Sequence, residues 1–411
     1  MEIRPILSSL LRNKTGALLI AAQVALSLAI VANALYIIQD RLALAARPSG
    51  VAEENNLFRF SVAQVNDPEG ADAKIAIPLQ ERTTAILRAL PGVRSVAITN
   101  QTPLSRSGWN MGLSLDTKQV ETTTNSAMYF SPDSLVDTFG LKLVEGRDFN
   151  QQDVEVIDPQ VTQSLGRTGI VTQALARKLF PTGSAVGKTI YLGMGADAFP
   201  IQIVGVVERL QTPWANVGER GELSTILAAR RVETYMNFAV RTETGQRDRV
   251  MKEAEAAMGR IPGQVVVNRN SMEDDRIDLY RDDRAIAWML ITVTVLLLLV
   301  TASGIVGMAT LWVDQRRKQI GVRRALGARK VDVLRYFIME NFIITSGGVV
   351  AGLLLAVALN QLLVSQLELA KLPIGYLAVG SLALWLIGVL AVYGPAWRAS
   401  SISPAIATRS A

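Results

Sequence analysis

Four runs of apolar residues, 15–38, 285–311, 336–364 and 376–397, are each long enough to cross a bilayer as a helix. The first, TGALLIAAQVALSLAIVANALYII, carries no charged side chain, and its two amides, Gln23 and Asn33, read as helix-packing contacts. Basic residues precede it, as in a signal peptide. The run is longer than a signal core, however, and Ala43-Leu44-Ala45 is a weak cleavage pattern, so an uncleaved anchor is expected. Residues 1–14 mix Arg4, Arg12 and Lys14 with Ile3, Ile6, Leu7, Leu10 and Leu11, which suits either a short interfacial helix or a plain charged leader.

Between the first and second runs, residues 39–284 change pattern. Alternation over Leu57–Val65 puts Phe58, Phe60 and Val62 on one face of a strand. A helix over Pro78–Leu90, a Pro91-Gly92 turn and a strand at Val93–Thr99 follow. Residues 101–125 read as an extended hairpin or a surface loop, a short helix follows the Ser131-Pro132-Asp133 turn, and 150–168 fit no pattern. Later strands fall at Thr168–Val171, Ile201–Val207, Leu223–Leu227, Tyr235–Val240 and Gln264–Val267, with helices at Ala174–Phe180 and Gln246–Met258. The alternation predicts an α+β domain, with two subdomains meeting somewhere between 130 and 230. The charged stretch 273–284 reads as a helical stalk running into the second apolar run.

Charge sets the orientation. The stretch 311–340, LWVDQRRKQIGVRRALGARKVDVLRYFIME, holds eight Arg or Lys against two Asp and one Glu, whereas 40–284 is slightly acidic. The basic segments are expected inside, so both termini and the loop 312–335 face the cytoplasm, while 39–284 and the turn 365–375 lie outside. The loop has helical spacing at Ile320, Arg324, Gly327 and Val331. From composition alone it is either a handle for a cytoplasmic partner or a loop that merely orients the chain. Ser303 and Gly307 form a small-xxx-small pair and Gly348 and Gly352 a GxxxG pair, both suited to close helix packing. Glu340 is expected at the interface or paired with a nearby cation, since a lone carboxylate in lipid is costly.

Composition narrows the chemistry. The chain is 49% hydrophobic and contains no Cys and no His. That removes thiol nucleophiles, disulfides, histidine triads and the usual zinc ligands, leaving carboxylate, Lys or Ser/Thr schemes. The uneven charge argues against nucleic-acid binding. Thr182–Thr189, TGSAVGKT, resembles a phosphate-binding loop but has Thr where the first Gly belongs, and it lacks a following helix; a turn between helix and strand accounts for it. Glu273, Asp274, Asp275, Asp278, Asp282 and Asp283 lack a calcium-loop spacing and alternate with Arg276, Arg281 and Arg284, so a salt-bridged helix is expected.

The block 319–341, QIGVRRALGARKVDVLRYFIMEN, resembles the FtsX-like permease domain of macrolide-exporter-type (MacB-like) ABC transporter permeases. Thr102-Pro103-Leu104-Ser105, GLKLVEGRDF at 140–149, LFPTGSAVGKTI at 179–190, Ile203–Val207 and PAWRASSISPA at 395–405 agree in order. The resemblance implies a membrane α-helical permease with four transmembrane helices and a large α+β periplasmic domain between the first and second, in the bacterial inner membrane. It implies no catalytic residue and no cofactor or metal on this chain; ATP and Mg²⁺ belong to a cytoplasmic ABC ATPase dimer. Because the chain opens almost directly on its first span, that ATPase is expected as a separate subunit. The resemblance assigns coupling to Arg316, Arg317, Gln319, Gly321, Arg323, Arg324, Gly327 and Arg329, with Gln319 standing where the family has Glu. A second permease copy or a paralogue is implied as partner, and a periplasmic adaptor with an outer-membrane channel is a further one. The implied mechanism is mechanotransmission, with efflux of a drug, peptide or other amphipathic substrate as the leading reading. Lipoprotein release, or regulation of a periplasmic or cell-envelope protein without transport, are the alternatives. A membrane-anchored signalling protein would need no ATPase, and a hydrolase would have to rely on Ser/Lys chemistry.

Overall fold

The first apolar run forms α1, Lys14–Ala45. It continues past the charge-free core because Gln39–Ala45 supplies good helix formers without Gly or Pro. The computed structural model describes residues 14–65, 72–158, 164–215, 218–367 and 371–401; the expected helix before Lys14 and the tail beyond Ser401 lie outside these. Two units divide the chain, Leu44–Asp282 and Met1–Ala43 with Asp283–Ala411.

In the first of these units, β1 (Leu57–Gln64), α2 (Ala73–Arg88) and β2 (Val93–Ile98) come first. Asp72 caps α2 by accepting from the Lys74 N–H at 3.0 Å. Next come β3 (Asn110–Ser114), β4 (Thr124–Ser131), α3 (Leu135–Phe139), β5 (Leu143–Gly146), β6 (Glu155–Ile157), β7 (Thr168–Thr172), α4 (Gln173–Leu179), β8 (Thr189–Leu192), β9 (Phe199–Val207) and β10 (Ser224–Arg231). The unit ends with β11 (Met236–Thr242), α5 (Arg247–Met258), β12 (Gln264–Ser271) and α6 (Met272–Leu279).

These strands build two lobes. One is the antiparallel sheet β12-β1-β11-β2. Phe58, Phe60 and Val62 pack there with Leu87 of α2 and Val250, Ala254 and Met258 of α5. The other is a mixed sheet that the β4–β10 pairing closes into the ring β4-β3-β8-β9-β7-β10, with β5 added on β9 and β6 on β10. Closure leaves the ring no free edge, and Leu113, Met128, Phe130, Ile190, Ile203 and Leu227 fill it. The stretch 101–125 is therefore both things expected, a loop over 101–109 and then the hairpin of β3 with β4, and part of the unplaced stretch 150–168 is β6. Gly146 (φ 74°) and Gly205 meet where β5 crosses β9. A Cβ at Gly146 would lie 2.1 Å from the Val204 carbonyl oxygen, so this crossing needs glycine.

The ring lobe is nested inside the sheet lobe. The chain leaves after β2 and returns before β11, so the single boundary expected between 130 and 230 is replaced by crossings at 99–109 and 232–235. The reason is long-range pairing: β1 lies between β11 and β12, which are distant in sequence, and no local pattern reports that. A shared core including Leu57, Ala97, Tyr129, Phe139, Ile226 and Tyr280 joins the lobes. Burial pushes the Tyr129 phenol well up, and it donates to the Gln211 carbonyl oxygen at 2.6 Å.

At the second crossing, Arg231 stacks 4.1 Å from the Trp109 ring centroid and pairs with Glu233 at 3.3 Å. Burial raises the Glu233 carboxyl, and Arg231 offsets this only in part. A raised folded-state value means that Glu233 contributes most below its unfolded value of about 4.3, and that this is lost as pH rises through the folded value. Glu233→Gln is therefore expected to raise the Tm of the full chain near pH 7.5 and to leave it unchanged near pH 4. Equal shifts at both values would show that the carboxyl's titration is not the cause.

In the other unit, the remaining apolar runs form α7 (Arg281–Gln315), α9 (Lys330–Leu367) and α10 (Ile374–Ser400), with the short α8 (Arg317–Ala325) between α7 and α9. Together with α1 these are four helices long and apolar enough to span a membrane. Val24, Leu28 and Ala32 of α1 are fully buried among them. Gly348 and Gly352 let α9 approach α1: a Cβ at Gly348 would lie 2.7 Å from the Ala21 carbonyl oxygen, and one at Gly352 2.9 Å from that of Ala25. Gln23 donates to the Val300 carbonyl oxygen at 3.1 Å and Asn33 to that of Ala356 at 3.1 Å, so both amides are interhelical contacts.

The Ser303/Gly307 pair makes no interhelical contact among the described residues. Both residues are exposed, the Ser303 hydroxyl bonds its own helix at Leu299, and no atom of another described element lies within 4 Å of a Cβ placed on Gly307. The contact is made at Thr301, whose hydroxyl lies 2.8 Å from that of Ser27, and at Gly304 beside Gln23. A spacing of small residues does not say which side of a helix meets its neighbour. Gly348→Leu should accordingly cost about 1–3 kcal/mol by overpacking, read as a lower Tm in detergent, and Gly307→Leu should be near neutral. The reverse order would refute the α1–α9 packing.

Candidate functional site

The basic loop is built as a bend, a short helix and a second bend. Arg316 breaks the helical path between α7 and α8 (φ −101°, ψ 7°). At the far end Gly327 takes φ 98°, a left-handed stop that few other residues adopt cheaply. There the Ala328 N–H reaches the Arg323 carbonyl oxygen at 3.1 Å. Asp332 then accepts from the Arg329 N–H at 3.0 Å and starts α9.

Three side chains hold α8 against the neighbouring helices. Ile320 is buried in the same cluster as Val333 and Phe337. The Arg316 guanidinium donates to both Glu340 carboxylate oxygens, at 2.9 and 2.8 Å. Arg324 donates to the Ser400 carbonyl oxygen at the end of α10. Arg323 lies along the flank, 5.3 Å from the Tyr336 ring centroid. The other side is open. Leu326 is 83% exposed, and Val322 and Val331 are about half exposed at 50% and 52%. Arg317, Lys318, Gln319, Arg329 and Lys330, in the same segment, are exposed as well.

The eight residues expected to couple therefore divide. Arg316, Gly321 and Arg324 face inward or bond within the chain; Arg317, Gln319, Arg323, Gly327 and Arg329 are exposed. Val322 and Leu326 went unnoticed in the sequence because the charge pattern dominates the segment. Their signal was an apolar pair four residues apart in a basic helix, just before its terminal glycine. The segment thus exposes apolar and cationic side chains together, a combination that suits an apolar groove edged by carboxylates or carbonyls.

Residues 291–404 match the family model for the FtsX-like permease C-terminal region, and residues 18–257 match that for the MacB-like periplasmic core domain. The chain belongs to this family of ABC transporter permeases. It is 28% identical over 214 residues to the macrolide export ATP-binding/permease protein MacB of Chromobacterium violaceum, covering 51% of this chain and 31% of that protein. It is 24% identical over 252 residues to the ABC transporter permease YknZ of Bacillus subtilis, covering 57% of each. The chain thus spans about a third of that MacB relative's length. The extracellular domain of YknZ matches 51% of this chain and 100% of that domain at 18% identity, with a TM-score of 0.32. The periplasmic region of MacB from Actinobacillus actinomycetemcomitans matches 53% of this chain and 90% of that region at 14% identity, with a TM-score of 0.31.

The other candidate sites of this FtsX-like permease are accounted for structurally. The phosphate-loop lookalike is the turn between α4 and β8, with Gly183 and Gly187 both at φ 83°. Its Lys188 ammonium sits 4.3 Å from the Phe180 ring centroid, and Ser184 bonds Glu145 at 2.6 Å. In the acidic run, Asp274 forms a capping box with Ser271 at the start of α6 and Asp275 pairs with Arg59 at 3.1 Å. Asp278 pairs with Arg281, and Asp283 pairs with Arg41 at 2.8 Å. Ion pairs are therefore present as expected, but Asp275 and Asp283 are buried and take their cations, Arg59 and Arg41, from outside the run.

Proposed function

We propose that this permease couples ATP binding and hydrolysis, carried out by a separate cytoplasmic subunit, to movement of the periplasmic domain. One observation carries the reading. The 312–335 loop presents an exposed apolar and cationic surface on a helix whose opposite side is tied to the spans by Ile320, Arg316 and Arg324. A partner that moves this surface moves the helices behind it. In this reading the loop and both termini are cytoplasmic, as the basic loop requires, and the ATPase dimer engages two permease copies. Movement leaves through α1 and α7, which lead in sequence into the periplasmic domain. The work done is efflux of an amphipathic drug or peptide, a reading supported by relatives named for macrolide export. An adaptor and outer-membrane channel would complete the route.

The test is purification of the full chain from native membranes in mild detergent, followed by identification of associated subunits. A stoichiometric ABC ATPase whose turnover depends on the permease is the expected result. A permease isolated alone, with no ATPase retained, overturns the proposal.

A further inference from the structure

Glu340 is 1% exposed, lies on α9, and is met by Arg316 at the corner between α7 and α8. Burial of such a pair calls for explanation. Removing two charges from water costs as much as their attraction returns, and well-packed apolar residues of the same size would hold the helices at least as firmly. Stability therefore does not account for the pair. An apolar contact can slide, whereas a two-pronged guanidinium–carboxylate bond holds only one distance and one angle. Placed at the corner, it sets where α8 begins relative to α9.

The surroundings agree. The far end of α8 is fastened separately, by Arg324 to α10, and Ile320 seats its middle. Asn341, beside Glu340, donates to the Gly388 carbonyl oxygen of α10 at 3.0 Å. Ile20, Ile305, Trp312, Phe337 and Val392 line the small space beside Glu340, so apolar side chains from α1, α7, α9 and α10 surround the carboxylate end of the pair. Low polarity strengthens the bond and makes its loss costly.

We propose that the Arg316–Glu340 ion pair is the rigid joint through which displacement of α8 is passed to the third apolar helix, α9, so that both are positioning residues for coupling. The inference rests on the function proposed above only for its second readout; the joint itself is measurable without any partner. The chain contains no Cys, so single labels can be placed uniquely. Lys318→Cys on α8 and Leu354→Cys on α9, both exposed positions, carry spin labels in the purified full chain. A narrow distance distribution is expected with the native pair and a broad one with Glu340→Gln. Because Glu340→Gln takes the carboxylate away from a partly buried Arg316, and so risks misfolding, Arg316→Met with Glu340→Met supplies a second, neutral and packed variant. It is expected to fold with near-native Tm, to keep its associated ATPase, to give the broad distribution, and to lose permease-dependent ATP turnover by roughly tenfold. The exchanged pair, Arg316→Glu with Glu340→Arg, is expected to recover part of the narrow distribution. A double-Met variant with a narrow distribution and full coupling overturns the proposal. So does one that folds but loses the ATPase, since the pair would then serve assembly. If no ATPase associates with the native chain, the function above fails, and the distance measurement still decides whether the pair locks α8 to α9.

Discussion

Leu326→Glu is expected to weaken association with the proposed ATPase partner roughly a hundredfold while leaving the permease folded. Leu326 is 83% exposed, so the chain loses no packing when it changes. A docked partner would lose the burial of one Leu side chain, about 1.5–3 kcal/mol. It would also have to desolvate a new carboxylate at the contact, bringing the total to about 3 kcal/mol and weakening binding roughly a hundredfold. Leu326→Ala should fall between. The measurement is a titration of the ATPase against the detergent-solubilised full chain, with Tm recorded for each variant. Native affinity in Leu326→Glu would remove α8 from the interface. Arg324→Glu makes an instructive contrast, because Arg324 bonds the end of α10 and its loss should lower Tm as well as coupling. A charge-reversal experiment chosen from sequence alone would have confused these two effects.

The second large effect is expected at Arg276. Every face of its guanidinium is used: it donates to the Ala45 and Arg47 carbonyl oxygens at 3.0 and 2.9 Å and, two-pronged, to Glu54 at 2.7 and 3.1 Å. The side chains of Arg276 and Glu54 are only 15% and 25% exposed. Arg276→Met leaves Glu54 partly buried without its cation and removes one donor from each of two carbonyls, a loss of about 3 kcal/mol. Arg276→Lys should recover only part of this, since an ammonium cannot serve the same planar fork. As a control, Lys142→Met, which breaks an exposed pair with Glu208 at 2.9 Å, should stay within about 0.5 kcal/mol. Denaturant unfolding of the full chain reads all three. A drop for Arg276→Met no larger than for Lys142→Met would show that the clasp contributes little.

Much of the architecture is local and could be read locally. Apolar runs of spanning length are helices whatever surrounds them, and α1, α7, α9 and α10 occupy those runs with ends extended by ordinary helix formers. Alternation at Phe58, Phe60 and Val62 marks β1 and its buried face. The block 319–341 carries both the family resemblance and the short helix α8. What could not be read is which distant segments meet. Glycines 146 and 205 sit in separate motifs, and only the crossing of β5 and β9 explains both.

The sequence by itself determined the number of spans, the place of the outer domain between the first two, and the absence of Cys and His chemistry. Period and composition suffice for these, because each depends on a residue and its near neighbours. Only the tertiary structure decided that one lobe is nested in the other and that Gly304 rather than Gly307 meets α1. It alone showed Arg276 clasping the chain beyond α1, and it alone separated the inward Arg316 and Arg324 from the outward Leu326. Each of these depends on pairings between residues far apart in the chain, and on the rotation of a helix about its own axis, which charge and spacing leave undetermined.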